Sequence, residues 1–235
     1  MATHVTIYQK IHTLNGEIFH LEAHIKLLRE AYRDIYGRVV KLPLEEVQRL
    51  LEDAMVANRC PRDISLFVTL TLNPAGILAI SEVTRSIYRG YTLRCISPSV
   101  AIIEFHIPYF NHCTTLRAEI VEWANTIAQR QGADLALRSF NGQVGMIDGA
   151  QTFAVTRGEI ITSPVSFSVE HSVAKLAAKT LDLKLIERAL LPHDIPNLDE
   201  LFFVDHYGVT AIKSCHGRAF MSIVAETLAK RMNDL

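Results

Sequence analysis

The chain has 235 residues, 49% hydrophobic and 21% charged, with 24 basic against 25 acidic side chains and a formal net charge of -1. That balance excludes a basic nucleic-acid footprint, and ordinary apolar content with 11 glycines and 8 prolines excludes disordered and collagen-like classes. No apolar run is long enough to cross a bilayer, and the opening MATHVTIYQKIH lacks a basic-then-apolar leader, so a soluble cytoplasmic protein binding neither nucleic acid nor membrane is expected. Cys60, Cys95, Cys113 and Cys215 form no CxxC pair, which fits unpaired thiols in a reducing compartment.

Val5 and Ile7 alternate into a strand running to Leu14, and the Asn15-Gly16 turn before Ile18-Phe19 predicts a hairpin. Leu21, Ile25, Leu28, Tyr32 and Ile35 follow one helix face, with Gly37 placed to cap it. A second helix is expected from Pro43, with Glu45 and Glu46 near its positive end. Four β-rich runs follow, DISLFVTLTL, ILAISEV, YTLRCIS and AIIEFHI, the first two joined by the turn NPAG. The stretch PYFNHCTT has no clean period and marks a boundary: an N-terminal α+β domain over 1–107, a linker over 108–115 and a C-terminal α+β domain over 116–235.

The second half opens on a helix with Leu116, Ile120, Trp123 and Ile127 on one face, which predicts a packed Trp123. Strands LALRSF, QVGMI, TFAVT and EIIT follow, with turns at Asn141-Gly142 and Arg157-Gly158. Then come a helix from about Val169 to Leu181, strand LKLIER, a short helix near LDEL, strands FFVD and VTAIK, and a final helix from Gly217.

Ten histidines include His20 and His24, four apart, and the group His106, His112 and Cys113. A metal site needs three or four ligands converging, which spacing alone does not supply, so none is expected. Cys113 beside His112 would be a nucleophile only with a basic partner in an electropositive niche. The run Arg85, Arg89, Arg94 offers an anion-binding reading beside a solvated one.

The segment Tyr8 to Leu28, with NGEIFHLEAHIKLL, resembles the opening of pyridoxal-phosphate (PLP) enzymes of fold type IV. These are the class IV aminotransferases (branched-chain and D-amino-acid) and the aminodeoxychorismate lyases. Gly132-Ala133-Asp134, Asn141-Gly142, the G-x-V word, Ser163-Pro164, Leu181-Asp182-Leu183 and FVDHYGVTAI after LDELFF follow the same order. The resemblance implies a two-domain α+β fold like that of D-amino-acid aminotransferase, assembled as a homodimer.

Carried over residue by residue, the family's Schiff-base lysine falls on Cys113, in His112-Cys113-Thr114-Thr115, or on Thr114 after a one-residue shift; no lysine occurs between Lys41 and Lys175. The phosphate-gripping arginine falls on Leu27, beside Lys26. The glutamate at the pyridine nitrogen falls on Met146, with Asp148 two residues further. The phosphate loop falls on Ser166 to His171, where Glu170 opposes an anion, and its closing Gly-Thr on Asp205-His206.

These departures touch separate parts of one cofactor site, so the resemblance implies a scaffold that has lost transamination and holds no PLP. A small molecule or partner is then expected in a cleft lined by Leu27, Tyr109, Asn111, His112, Cys113, Thr114, Met146, Asp205 and His206. Three alternatives stand beside it: an aminotransferase or lyase whose PLP is reached by a displaced Lys26 or Lys213; cofactor-free chemistry through Cys113 and the histidines; and a structural dimer in which these side chains merely fill space.

Overall fold

The computed structural model describes residues 5–61 and 63–235, so the first four residues, read above for a leader, lie outside it. The chain divides into two compact units, 1–90 with 108–118, and 91–107 with 119–235.

The first unit is a four-stranded sheet with two helices. Strand β1 (Ile7–Leu14) turns through Asn15-Gly16 into β2 (Glu17–Ile18). Both turn residues have positive φ, 55° and 80°, the geometry that matches strand twist and that Asn-Gly adopts readily. Helices α1 (Leu21–Tyr36) and α2 (Leu44–Ala57) follow; the Gly37 N–H closes α1 on the Arg33 carbonyl, and Pro43 precedes α2 as read. Strands β3 (Leu66–Leu72) and β4 (Leu78–Arg85) complete the order β2-β1-β3-β4.

Register assigns the two faces of this sheet. Ile7↔Leu72, Gln9↔Leu70 and Ile11↔Val68 share the face that packs with Ile25, Leu28 and Leu51 of the helices. By strand alternation, Tyr8↔Thr71, Lys10↔Thr69 and His12↔Phe67 occupy the opposite face.

The second unit is built on a ten-stranded sheet. Its first strand, β5 (Ser99–Glu104), pairs in parallel with β6 (Leu135–Phe140), and Asp134 Oδ2 accepts hydrogen bonds from Ser99 N and Oγ, both at 2.7 Å. The expected boundary therefore differs from the contacts: the segment 91–107 joins the C-terminal unit, while 108–118 stays with the N-terminal one. Helix α3 (Thr115–Arg130) starts inside that second stretch. Its buried face is Arg117, Val121, Ala124 and Ala128, one residue out of phase with the expected one, and Trp123 is 57% exposed instead of packed.

Strands β7 (Gln143–Ile147), β8 (Ala150–Thr156) and β9 (Glu159–Thr162) form antiparallel hairpins, and α4 (Val169–Ala178) leads to β10 (Lys184–Glu187), parallel to β9. The short helix lies earlier than expected, a 3₁₀ segment at Pro192–Asn197, and Glu200 of LDEL instead opens strand β11 (Glu200–Asp205). Its hairpin partner is β12 (Gly208–Ala211). The final helix also begins later than Gly217: a small hairpin, β13 (Ser214–Cys215) and β14 (Arg218–Ala219), turns at His216-Gly217 before α5 (Ile223–Met232). YTLRCIS is no strand of the sheet; it makes only the isolated bridge Leu93↔Val209.

Phe153 and Phe202, on paired strands and fully buried, stack with centroids 5.4 Å apart at the centre of this unit.

Candidate functional site

Six of the nine expected cleft residues fall in the first unit, within α1 and the segment 108–114. That segment runs along the edge of β1: Tyr8 N donates to Cys113 O at 2.9 Å, Thr115 N donates to Thr6 O at 2.9 Å, and Ile7 bridges Thr114 in antiparallel register. Thr114 therefore shares the core face with Ile7 and is 1% exposed, while Cys113 stands opposite Tyr8 on the other face. Lys10 is two residues further along that face.

The segment is pinned at several points. Thr114 Oγ1 accepts the Arg117 N–H at 3.1 Å, capping α3. His112, buried, places Nε2 3.1 Å from Asp34 Oδ2 of α1. Burial lowers the His112 pKa, and the hydrogen bond to Asp34 works against that shift. Tyr109 has φ 52°, and its carbonyl accepts the His112 N–H. Arg117 is 6% exposed, with Nη1 3.9 Å from Cys113 Sγ.

Leu27 is half-buried on α1, whereas Lys26 beside it is exposed and spans 4.0 Å to Glu30. Lys213, the other displaced candidate, is exposed too. Lys10 is half-buried and makes no hydrogen bond or ion pair among the described residues. Sequence reasoning passed over it because its relation to Cys113 exists only through register.

Met146, Asp205 and His206 belong to the second unit. Met146 is buried on β7, facing Arg138 across the β6 pair, and Asp148 is an exposed turn residue held by Asn125 Nδ2 at 3.1 Å. Asp205 and His206 make the β11–β12 turn, where Asp205 Oδ1 accepts the Tyr207 N–H and the His206 and Tyr207 rings lie 4.0 Å apart. Arg94 reaches this turn, with Nη1 4.0 Å from Asp205 Oδ2 and 3.2 Å from Thr210 Oγ1, and its guanidinium 4.9 Å from the Tyr207 ring centroid. Of the two readings for the arginine run, Arg94 thus takes neither: it is an internal partner of Asp205.

Glu170 sits in the first turn of α4, and Ser168 caps that helix. Desolvation pushes the Glu170 carboxyl up to about 7, Asp205 adds to the shift, and hydrogen bonds from its own backbone and Ser168 oppose it. Three other buried histidines are held by side-chain partners: His24 meets Gln9 at 2.9 Å, His12 meets Ser65 at 2.5 Å, and His171 meets Thr162 at 2.8 Å. Burial lowers their pKa values to about 3, about 4 and about 3 respectively. Among the described residues no three His, Cys, Asp or Glu side chains cluster as a metal site. No helix there is long and apolar enough to cross a membrane.

These elements match known proteins over nearly the whole chain. The family described as amino-transferase class IV matches residues 6–215, and the chain belongs to that family. Its architecture is that of PLP fold type IV. A branched-chain aminotransferase from Thermoproteus uzoniensis, solved with norvaline, is 20% identical with a TM-score of 0.78, covering 97% of this chain and 84% of that one. A Legionella pneumophila protein, provisionally assigned as a 4-amino-4-deoxychorismate lyase, gives 14% and 0.80 over 97% and 90%. A Brucella abortus aminotransferase bound to PLP gives 13% and 0.77 over 97% and 87%. At these identities the likeness is one of fold. No curated protein sequence matches this one.

Proposed function

We propose that this protein is a non-catalytic class IV homologue, a cytoplasmic homodimer that binds a small molecule through the residues standing where its relatives hold a cofactor. The observation that carries this reading is the donor set at the positions carried over from the family. A thiol at Cys113 cannot form a Schiff base, the buried thioether of Met146 cannot keep a ring nitrogen protonated, and half-buried Leu27 offers a phosphate nothing. Glu170, buried in the first turn of α4 with Asp205 close enough to raise its pKa, further disfavours a phosphate. These residues do not fit PLP. The displaced lysines weighed from the sequence, Lys26 and Lys213, are both exposed, which counts against either as a buried amine.

A second reading is favoured by one observation, the register that puts Lys10 on the face shared with Cys113. A half-buried amine there is the best candidate for carbonyl capture in this chain.

An absorbance scan with excess PLP, then borohydride reduction and peptide mass, decides between them. No aldimine band and no stoichiometric lysine adduct is the expected result. A single adduct on the Lys10 peptide would overturn the non-catalytic reading in favour of a relocated amine.

A further inference from the structure

Arg117 is buried at 6% exposure, yet among the described residues no carboxylate lies within ion-pair distance of its guanidinium. Asp34, the acid nearest this segment in the hydrogen-bond network, is engaged with His112. Among the described residues, the one side chain with which Arg117 makes a hydrogen bond is Cys113, whose Sγ lies 3.9 Å from Nη1. A buried guanidinium without an anion is costly, and it is held in place here by packing on α3 while its charge points at a sulfur. Lys10, with no acidic partner among the described residues, adds a second cation on the sheet face that carries Cys113. The segment therefore joins an accessible thiol to two cations that the fold leaves uncompensated.

We propose that Arg117 and Cys113 form an anion-binding site with a reactive thiolate, which takes small carboxylates bearing an electrophilic carbon. Opposite charge within reach favours the thiolate over the thiol. The remaining N–H donors of the guanidinium fork suit a carboxylate. Capture then transfers the thiol proton to solvent, forms one bond from sulfur to the electrophilic carbon, and expels the leaving group with its electron pair. This names the ligand class of the segment and rests on the reading that it binds rather than transaminates. The two fail separately, because borohydride trapping reads lysine and the test below reads cysteine.

Iodoacetate and iodoacetamide differ in charge but present the same reacting carbon, and each releases iodide. With the intact protein, site-resolved mass spectrometry gives alkylation rates at every cysteine. Cys95 is exposed and Cys60 half-buried, so both serve as solvent-accessible references. Cys215 is buried with its thiol pushed up to about 11 by desolvation, so it reports an inert one. The expected result is an iodoacetate-to-iodoacetamide rate ratio at Cys113 about tenfold above that at Cys95. Arg117→Gln should lower it to the Cys95 value, and Arg117→Lys should keep part of it. Equal ratios at Cys113 and Cys95 in the unmodified protein, no reaction at Cys113 with either reagent, or a ratio unchanged in Arg117→Gln would overturn the proposal. The first two outcomes are read without any variant, so poor folding of Arg117→Gln leaves the test intact.

Discussion

In the first unit Arg117 is buried with a sulfur as its neighbour, whereas in the second Arg94, half-buried, lies among Asp205, Thr210 and the Tyr207 ring. The difference lies in their partners. Arg94 ties the segment around Leu93 to the β11–β12 turn and has its counter-charge supplied by the chain, so it is part of the fold. Arg117 has no such counter-charge among the described residues, so its charge is available to something outside the chain.

The turn that Arg94 serves can be broken most severely at its backbone. Gly208 has φ 112°, and a Cβ there would lie 2.4 Å from the Thr92 carbonyl oxygen, a backbone atom that cannot swing away. Gly208→Ala is expected to destabilise by at least about 4 kcal/mol in urea denaturation, or to yield no folded protein. Next in size comes the pair of arginine-to-leucine substitutions. Arg94→Leu removes the cation beside the Asp205 carboxylate, 15% exposed, together with the hydrogen bond to Thr210 Oγ1, and should cost about 3 kcal/mol. Arg117→Leu strands no acid and keeps the apolar stem's packing, so its cost should stay within about 1 kcal/mol. Equal losses for the two would erase the distinction between a structural and a ligand-seeking arginine.

Much of this arrangement was legible before any coordinates. The Asn15-Gly16 and Asn141-Gly142 turns, the apolar face of α1 and the Ser168 start of α4 are local signals, and each local signal is a property of a few adjacent residues. The family followed from the order of such words. What could not be read was pairing. AIIEFHI looks like any strand, and nothing local says that its partner is LALRSF, each paired residue lying 35 positions further on, so the expected boundary departs from the division by contacts. Trp123 failed for a related reason: two helix faces one residue apart are both apolar, and the smaller residues Ala124 and Ala128 won the interior because they permit close approach to β5 and β6. Lys10 and Arg117 were missed because each matters only through what stands across from it. A register argument from β1 to Cys113 would have found the lysine, but no periodicity points to a buried arginine without an acid.

The remaining effect concerns the acid beside Arg94's turn and runs against habit in its sign. Glu170 is 8% exposed, and desolvation raises its carboxyl from 4.5 to about 7 in the folded state. Unfolding therefore releases its proton between those values. The fold carries no penalty from Glu170 below pH 4.5, accumulates one as pH rises through 7, and keeps it at higher pH. Glu170→Gln should thus stabilise the protein at pH 8 by about 2 kcal/mol, below the full linkage value because the amide gives up charge-assisted bonds to Ser168 and the backbone. The gain should fade to nothing by pH 4.5. Taking the difference between the two proteins at each pH cancels His12, His24 and His171, whose depressed pKa values destabilise both alike as pH falls below 6.5. Thermal melts across that range check it. A variant less stable than the parent at pH 8 would mean that the Glu170 carboxylate is a working anchor of α4, and that the second unit holds its acids as firmly as it holds Arg94.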